Sequence, residues 1–232
     1  MAFEFLPETI ALIPDGNRRW AHQHKMSVFN GYELGVGKFI DFSRWCMDYG
    51  INNVSVWALS PENLKRNRNE VRALFTIYKK VANDRKMLDM IHDNRARVNI
   101  IGKSSLLPKD LYKALHQLEL ETAHYRGRTM NLLIGYGGRE DIFHAARNFA
   151  NDVKKGFGAT VERFKSELLS SAVPDLDLII RTSGERRLSG FMPWQSYYSE
   201  LYFSNKLWPD FTKRDLNLAL LEYGKRERRF GR

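Results

Sequence analysis

The sequence predicts an α/β domain with a mainly parallel central sheet flanked by helices, and three observations predict it. Short apolar, β-rich runs recur at residues 9 to 13, 53 to 59, 97 to 101, 130 to 134 and 176 to 180. Helix-like segments fill most of the intervals, the pattern of parallel strands joined by helical crossovers. No internal repeat, low-complexity tract or Pro/Ser-rich linker interrupts the alternation. Residues 1 to 232 are therefore expected to form one domain, although the chain exceeds the rough guide of about 150 residues per domain.

The first strand, Thr9-Ile-Ala-Leu-Ile13, ends at Pro14 and Gly16. Asp15-Gly-Asn-Arg-Arg19 follows, placing a carboxylate, an amide and two guanidiniums where open α/β sheets hold their ligands. Asp15 offers hard oxygen atoms to a divalent cation, and Arg18 and Arg19 suit the phosphate oxygens that such a cation bridges. The same residues also read as an Asp-Gly turn with two solvated arginines. A helix over residues 33 to 49 follows, with Leu34, Phe39, Phe42, Trp45 and Met47 at apolar positions and Gly50 placed to end it.

After the second strand, Ser60 can cap a helix that begins with Pro61, either as an ordinary N-cap or as an anion-facing helix start. Pro108 opens another helix running toward Tyr125, and Gly135-Tyr-Gly-Gly138 reads as a strand-to-helix turn. The last apolar run leads into Arg181-Thr-Ser-Gly-Glu-Arg-Arg-Leu-Ser-Gly190. Its arginines, hydroxyls and glycines suit a diphosphate, since each charge-assisted hydrogen bond contributes roughly 1.5–3 kcal/mol. Glu200 sits among aromatics in Trp194-Gln-Ser-Tyr-Tyr-Ser-Glu-Leu-Tyr-Phe203, and a buried carboxylate needs a charge partner or a metal.

Composition narrows the function classes. A formal charge of +10 favours anionic partners without choosing among nucleic acid, lipid headgroups and polyphosphates. The hydrophobic content of 43% supplies a core. No apolar stretch reaches the roughly 18 residues of a membrane span, and Met1-Ala-Phe-Glu-Phe-Leu-Pro7 lacks the basic region of a signal peptide, so a cytoplasmic protein is expected. Cys46 is the only cysteine, which excludes an internal disulfide and a multi-thiolate metal site. There is neither a Gly-x-Gly-x-x-Gly nor a Walker loop. His22 and His24 lack zinc-ligand spacing, and no aromatic RNA-recognition signature accompanies the charge, so no nucleic acid partner is expected.

Taken in order, Asp15-Gly-Asn-Arg-Arg-Trp-Ala21, Ser60-Pro-Glu-Asn63 with Arg66 and Glu70, Gly135-Tyr-Gly-Gly-Arg139, Arg181-Thr-Ser-Gly-Glu-Arg-Arg-Leu-Ser189, Trp194-Gln195, Glu200-Leu-Tyr-Phe203 and Glu227-Arg-Arg-Phe-Gly231 resemble the cis-prenyltransferases, the undecaprenyl diphosphate synthase family. The resemblance spans nearly the whole chain. It implies a Mg²⁺-dependent prenyltransferase that condenses an allylic prenyl diphosphate with isopentenyl diphosphate into a cis-isoprenoid diphosphate of short or medium length. It also implies a homodimer whose sheet and helices enclose a hydrophobic tunnel, with peripheral membrane contact for product release.

Carried over by residue, Asp15 would bind Mg²⁺, and Gly16, Asn17, Arg18, Arg19 and Trp20 belong to the allylic diphosphate motif. Ser60, Glu62 and Arg66 fall in the substrate-binding motif around Asn63, which sits at the proton-transfer position. Arg181, Arg187 and Ser189 would hold the second diphosphate, and Glu200 would complete the metal environment. Arg229 and Gly231 match the C-terminal Arg-x-Gly that reaches a neighbouring subunit's site.

Departures from the family pattern put the substrate pairing at issue. Val28 stands where many members have arginine, Tyr32 replaces a histidine, and Arg18 replaces a bacterial glycine. Leu64, Gly190 and Pro14 replace tryptophan, asparagine and methionine. Coupling of two allylic diphosphates, or transfer to another acceptor, is therefore the enzymatic alternative. A non-catalytic dimer partner and a basic RNA-binding protein are the non-enzymatic ones.

Overall fold

β1 (Thr9–Ile13) is buried along its whole length and lies in the middle of a six-stranded sheet. The computed structural model describes residue 3 and residues 5 to 226. In chain order, β1 is followed by α1 (Asn17–Gln23), α2 (Val28–Asp48), β2 (Asn53–Leu59), α3 (Arg68–Ala82), α4 (Arg85–Asp93), β3 (Ala96–Ile101), α5 (Lys109–Thr122) and β4 (Arg128–Ile134). Then come α6 (Gly138–Lys154), α7 (Val161–Ser166), β5 (Leu178–Arg181), β6 (Glu200–Phe203) and α8 (Lys213–Gly224).

The strand order is β3-β4-β2-β1-β5-β6 and every pairing is parallel. β1 lies between β2 and β5, so the chain leaving β1 crosses the sheet one way and the chain leaving β5 goes the other. Such a reversal of direction opens a ligand crevice at the carboxyl ends of the strands. The register brings Ile13 level with Arg181, so Asp15 and the arginine-rich segment after β5 start at the same sheet end.

Strand alternation divides the core. Ile10, Leu12, Val54, Val56, Leu178 and Ile180 pack on Phe39, Phe42 and Met47 of α2, on Met87 and Ile91 of α4, and on Leu216 and Leu220 of α8. Ala11, Ile13, Leu133 and Ile179 face Val173, Leu176, Phe191 and Met192. Burying each large apolar side chain contributes about 1.5–3 kcal/mol, so these two layers fix the sheet independently of the polar crevice.

The predicted strands stand close to their expected bounds, and the sheet is wholly parallel rather than mainly so. α2 starts earlier than residue 33, because the Ser27 hydroxyl accepts from the Asn30 N–H and caps it. Ser60 does cap, but the element it opens is a short 3₁₀ turn, Pro61–Lys65, followed by α3. β6 was not among the expected strands. It is a four-residue edge strand, half-buried throughout, and its apolar stretch Leu201-Tyr-Phe203 is shorter than the runs that mark the others.

Candidate active site

The crevice is built where the loop after β1 meets the loop after β5. Gly16 has φ 105°, the left-handed conformation that lets the chain turn from β1 into α1, and a Cβ there would sit 2.8 Å from Leu207 Cδ2. The Thr182 hydroxyl donates to the Asp15 carbonyl at 2.7 Å, and the Trp208 N–H donates to it at 3.1 Å. The aspartate backbone is thus held from two further elements while its side chain stays half-buried at the crevice.

Arg181 occupies the centre. Its side chain is 6% exposed; Nη2 donates to Asp15 Oδ2 at 2.9 Å, and Nη1 donates to the Ser189 hydroxyl at 2.9 Å and to the Arg187 carbonyl at 2.6 Å. Its Nε is buried with no protein partner among the described residues. One planar guanidinium therefore ties the β1 loop to the β5 loop, a fork geometry that a lysine does not provide. Arg19 lies beside it, 3.6 Å from Asp15 Oδ1 and 3.6 Å from Glu185, and donates to the Ser183 carbonyl at 3.2 Å.

A cavity of about 600 Å³ opens from this point into the apolar layer between the sheet and α2, α3 and α5. Asp15, Arg18, Arg19, Ser60, Asn63, Arg66, Arg181 and Ser189 border it at the polar end. Val36, Phe39, Val56, Leu74, Tyr78, Met87, Leu115, Leu118 and Leu132 line the rest. The arrangement is a cationic mouth on a hydrocarbon-lined body, suited to an anionic head with an apolar tail.

The family model described as putative undecaprenyl diphosphate synthase matches residues 13–231. The chain belongs to this family, the cis-prenyltransferases. It is 41% identical over 231 residues to the tritrans,polycis-undecaprenyl-diphosphate synthase (geranylgeranyl-diphosphate specific) of Methanopyrus kandleri, covering 98% of this chain and 85% of that one. It is 38% identical over 237 residues to dehydrodolichyl diphosphate synthase 1 of Arabidopsis thaliana, covering 98% and 77%. Among solved structures, lavandulyl diphosphate synthase from Lavandula x intermedia in complex with dimethylallyl diphosphate superposes with a TM-score of 0.93 at 34% identity, covering 98% of this chain and 99% of that one. Like its family, the chain is a transferase of prenyl groups.

The residues singled out in the sequence divide into those the fold gathers and those it does not. Asp15, Gly16, Asn17, Arg18, Arg19, Ser60, Glu62, Asn63, Arg66, Arg181 and Ser189 border the one cavity. Trp20 turns away: its indole N–H donates to Asp210 at 2.7 Å and its ring stacks on His24 at 4.0 Å, so it holds α1 in place. The Arg187 side chain is 60% exposed and pairs with Glu185, outside the cavity lining.

The expected meeting of Glu200 and Asp15 around one cation is not made within this chain. Glu200 is level with Leu178 at the amino end of the strands, whereas Asp15 follows their carboxyl end, and the Glu200 carboxylate accepts from Arg226. Arg229 and Gly231 lie outside the described residues. No group of three or more His, Cys, Asp or Glu side chains is poised to hold a metal among the described residues.

Sequence reasoning assigned no role to Glu70, which proves to be a junction. It accepts from the Tyr32 hydroxyl at 2.7 Å and from Arg66 Nη1 at 3.2 Å, with Arg18 Nε at 3.7 Å. Arg66 lies in the extended segment between the Pro61–Lys65 turn and α3, so no helical spacing ties it to Glu70, and the only signal was an acid four residues after an arginine. Tyr32, which the sequence marks only as a lost histidine, lines the cavity and is fully engaged with this junction.

Two glycines of α2 set how closely α1 approaches. A Cβ on Gly31 would lie 2.6 Å from the Asn17 carbonyl oxygen, and one on Gly35 would lie 2.1 Å from Asn17 Oδ1. Gly35 also accepts from the Trp208 indole N–H at 2.7 Å. Gly31→Ala, whose Cβ would meet the Asn17 backbone, is therefore expected to destabilise the fold by about 1–3 kcal/mol through overpacking and to displace Asn17 from the crevice. Urea unfolding measures the first effect, and an unchanged midpoint would contradict the packing described here.

Proposed function

We propose that this chain condenses an allylic prenyl diphosphate with isopentenyl diphosphate in a Mg²⁺-dependent reaction that yields a cis-isoprenoid diphosphate. The observation that carries this reading is the joining of a guanidinium-rich mouth and an apolar cavity of about 600 Å³ at the switch point of the sheet. The prenyl tail of the allylic substrate needs the apolar body, so its diphosphate belongs to Gly16, the first turn of α1 that carries Asn17, Arg18 and Arg19, and Arg66 on the same cavity border. The second diphosphate belongs to the β5 loop, where Arg181 and Ser189 converge and the Arg187 guanidinium is 60% exposed within the same segment.

Asp15 fits a divalent cation shared with substrate. One carboxylate oxygen is used by Arg181, while among the described residues Oδ1 has only the long contact to Arg19 at the cavity border. Mg²⁺ commonly binds one or two carboxylates plus substrate phosphates, which suits a lone aspartate. When bound, the ion supplies neutralisation of the charge that grows on the departing diphosphate.

The chain's own groups do the rest. Arg19 and Arg66 stabilise the same charge as the allylic carbon–oxygen bond breaks. The alkene of isopentenyl diphosphate, held by Arg181 and Ser189, supplies the electron pair of the new carbon–carbon bond. A proton is then lost from the former isopentenyl unit. Asn63 Oδ1 accepts from the Ser60 N–H at 3.3 Å, and the Ser60 hydroxyl accepts from the Asn63 N–H at 3.3 Å. That reciprocal cap leaves the Asn63 amide NH₂ as a donor at the cavity, able to orient a water or phosphate oxygen that takes the proton.

A cavity within the about 300–1,000 Å³ of ordinary small-molecule sites supports a short or medium product. Exposed apolar side chains on α6, Ile142 and Phe143, support a homodimer. No helix is long and apolar enough to cross a membrane among the described residues, which accords with a cytoplasmic enzyme that meets the membrane only at its surface.

A second reading, in which both diphosphate sites take allylic substrates, is favoured by the likeness to a structure that holds dimethylallyl diphosphate. Pyrophosphate release separates the two readings. The proposed reaction requires allylic diphosphate, isopentenyl diphosphate and Mg²⁺ together. Equal release from allylic diphosphate alone would instead establish the second.

A further inference from the structure

The cavity mouth holds a four-residue junction drawn from α1, α2, α3 and the extended segment that leads into α3. Tyr32, Gly35, Val36 and Phe39 form the face of α2 that borders the cavity, so Tyr32 stands where the polar mouth gives way to the apolar body. Its hydroxyl donates to Glu70 Oε1 and accepts from Arg66 Nη1, each at 2.7 Å. Arg66 Nη1 also meets Glu70 at 3.2 Å, and Arg18 from α1 approaches the same carboxylate oxygen at 3.7 Å. The Glu70 side chain is 13% exposed, so its charge has little water to satisfy it and is compensated by these donors.

Burial, then the hydrogen bond to Glu70, pushes the Tyr32 hydroxyl well above its ordinary pKa, so it stays a protonated donor. Two guanidiniums around one carboxylate leave the junction with one net positive charge. Arg66 spends Nη1 on the protein, while Nη2 and Nε carry no hydrogen bond among the described residues.

We propose that Tyr32 and Glu70 are a positioning pair that holds Arg66 and Arg18 at the tunnel mouth for the diphosphate of the tail-bearing, allylic substrate. The proposal rests on the prenyl-transfer reading above and assigns it specificity residues. The tail must enter beside Tyr32, Val36 and Phe39, so its diphosphate comes to rest within reach of the junction. The β5 loop and its diphosphate site make none of these contacts. Val28, one turn before Tyr32, packs on the apolar cluster of α2, α3 and α5, so the guanidiniums on this side are supplied by Arg18 and Arg66 rather than by α2.

The test is steady-state kinetics of Tyr32→Phe and Glu70→Gln, with geranyl and isopentenyl diphosphate varied in turn. Tyr32→Phe keeps the ring that lines the cavity and removes only the hydroxyl. It is expected to raise the KM for geranyl diphosphate about fivefold to tenfold, with kcat and the KM for isopentenyl diphosphate within about twofold. Glu70→Gln is expected to raise the same constant by about tenfold or more. The double variant should fall short of the product of the single effects, because both act through Arg66.

Circular dichroism establishes that each variant is folded, and should one fail to fold the other still decides. An unchanged KM for geranyl diphosphate in a folded variant, or equal changes for both substrates, overturns the proposal while the wild-type chain remains active. Absence of turnover by the wild-type chain overturns the prenyl-transfer reading, and this proposal with it.

Discussion

Asp15→Asn is expected to lower turnover about a thousandfold while the protein stays folded, the loss associated with removing a group that acts on transition-state charge. The substitution keeps an oxygen that accepts from Arg181 Nη2, now at 2.9 Å, but removes the charge that a cation requires. Asp15→Ala goes further, leaving the buried Arg181 guanidinium without its carboxylate, so it is expected to lose activity to the same extent and some stability as well. The two variants together separate chemistry from folding. Circular dichroism and size-exclusion profiles matching the wild type, with turnover gone at saturating Mg²⁺, are the expected outcome. Asp15→Asn activity within a few-fold of wild type would exclude Asp15 as the cation ligand.

Arg181→Ala is expected to have the second largest effect, and a different one from Arg187→Ala. Arg181 joins Asp15 to Ser189 and the Arg187 carbonyl through one guanidinium, so its loss leaves the half-buried aspartate with the 3.6 Å contact to Arg19 alone among the described residues and frees the β5 loop. Both kcat and the KM for isopentenyl diphosphate should worsen, and stability should fall by about 2–4 kcal/mol from hydrogen bonds to a buried charge. Arg181→Lys should not restore activity, because a single ammonium does not span the two loops. The Arg187 side chain touches only Glu185 among the described residues and is largely exposed, so Arg187→Ala should raise the KM for isopentenyl diphosphate with kcat and stability little changed. If the two substitutions behaved alike, Arg181 would not be the tie between the loops.

Much of this arrangement was legible in the residues, for physical reasons that differ by element. β1 and β2 were readable because strands covered on both faces are nearly continuous apolar runs ending at proline, glycine or a capping serine. β6 was hidden because its apolar stretch, Leu201-Tyr-Phe203, is too short to stand out, and its Glu200 drew attention as an isolated acid instead. The Asp15 and Arg181 segments were visible as polar clusters at strand ends. That they meet depends on β1 and β5 being neighbours, which local sequence does not state.

Glu70 and Tyr32 are a different case. Their contact joins α2 to α3 across 38 residues, so substitution of a histidine by Tyr32 read as a loss until the fold supplied its partners. The tunnel likewise draws its walls from several helices and strands, and no single window of sequence contains it.

The most direct test of the account is the fate of carbon-labelled isopentenyl diphosphate incubated with the wild-type chain, Mg²⁺ and dimethylallyl, geranyl, farnesyl or geranylgeranyl diphosphate, with extracted products separated by chromatography. Labelled prenyl diphosphates lengthened in five-carbon steps, with cis double bonds in the added units, are the expected result, and none are expected when Mg²⁺ or the allylic substrate is left out. Prenyl products that carry no label, or no product from any of the four allylic substrates, would contradict it.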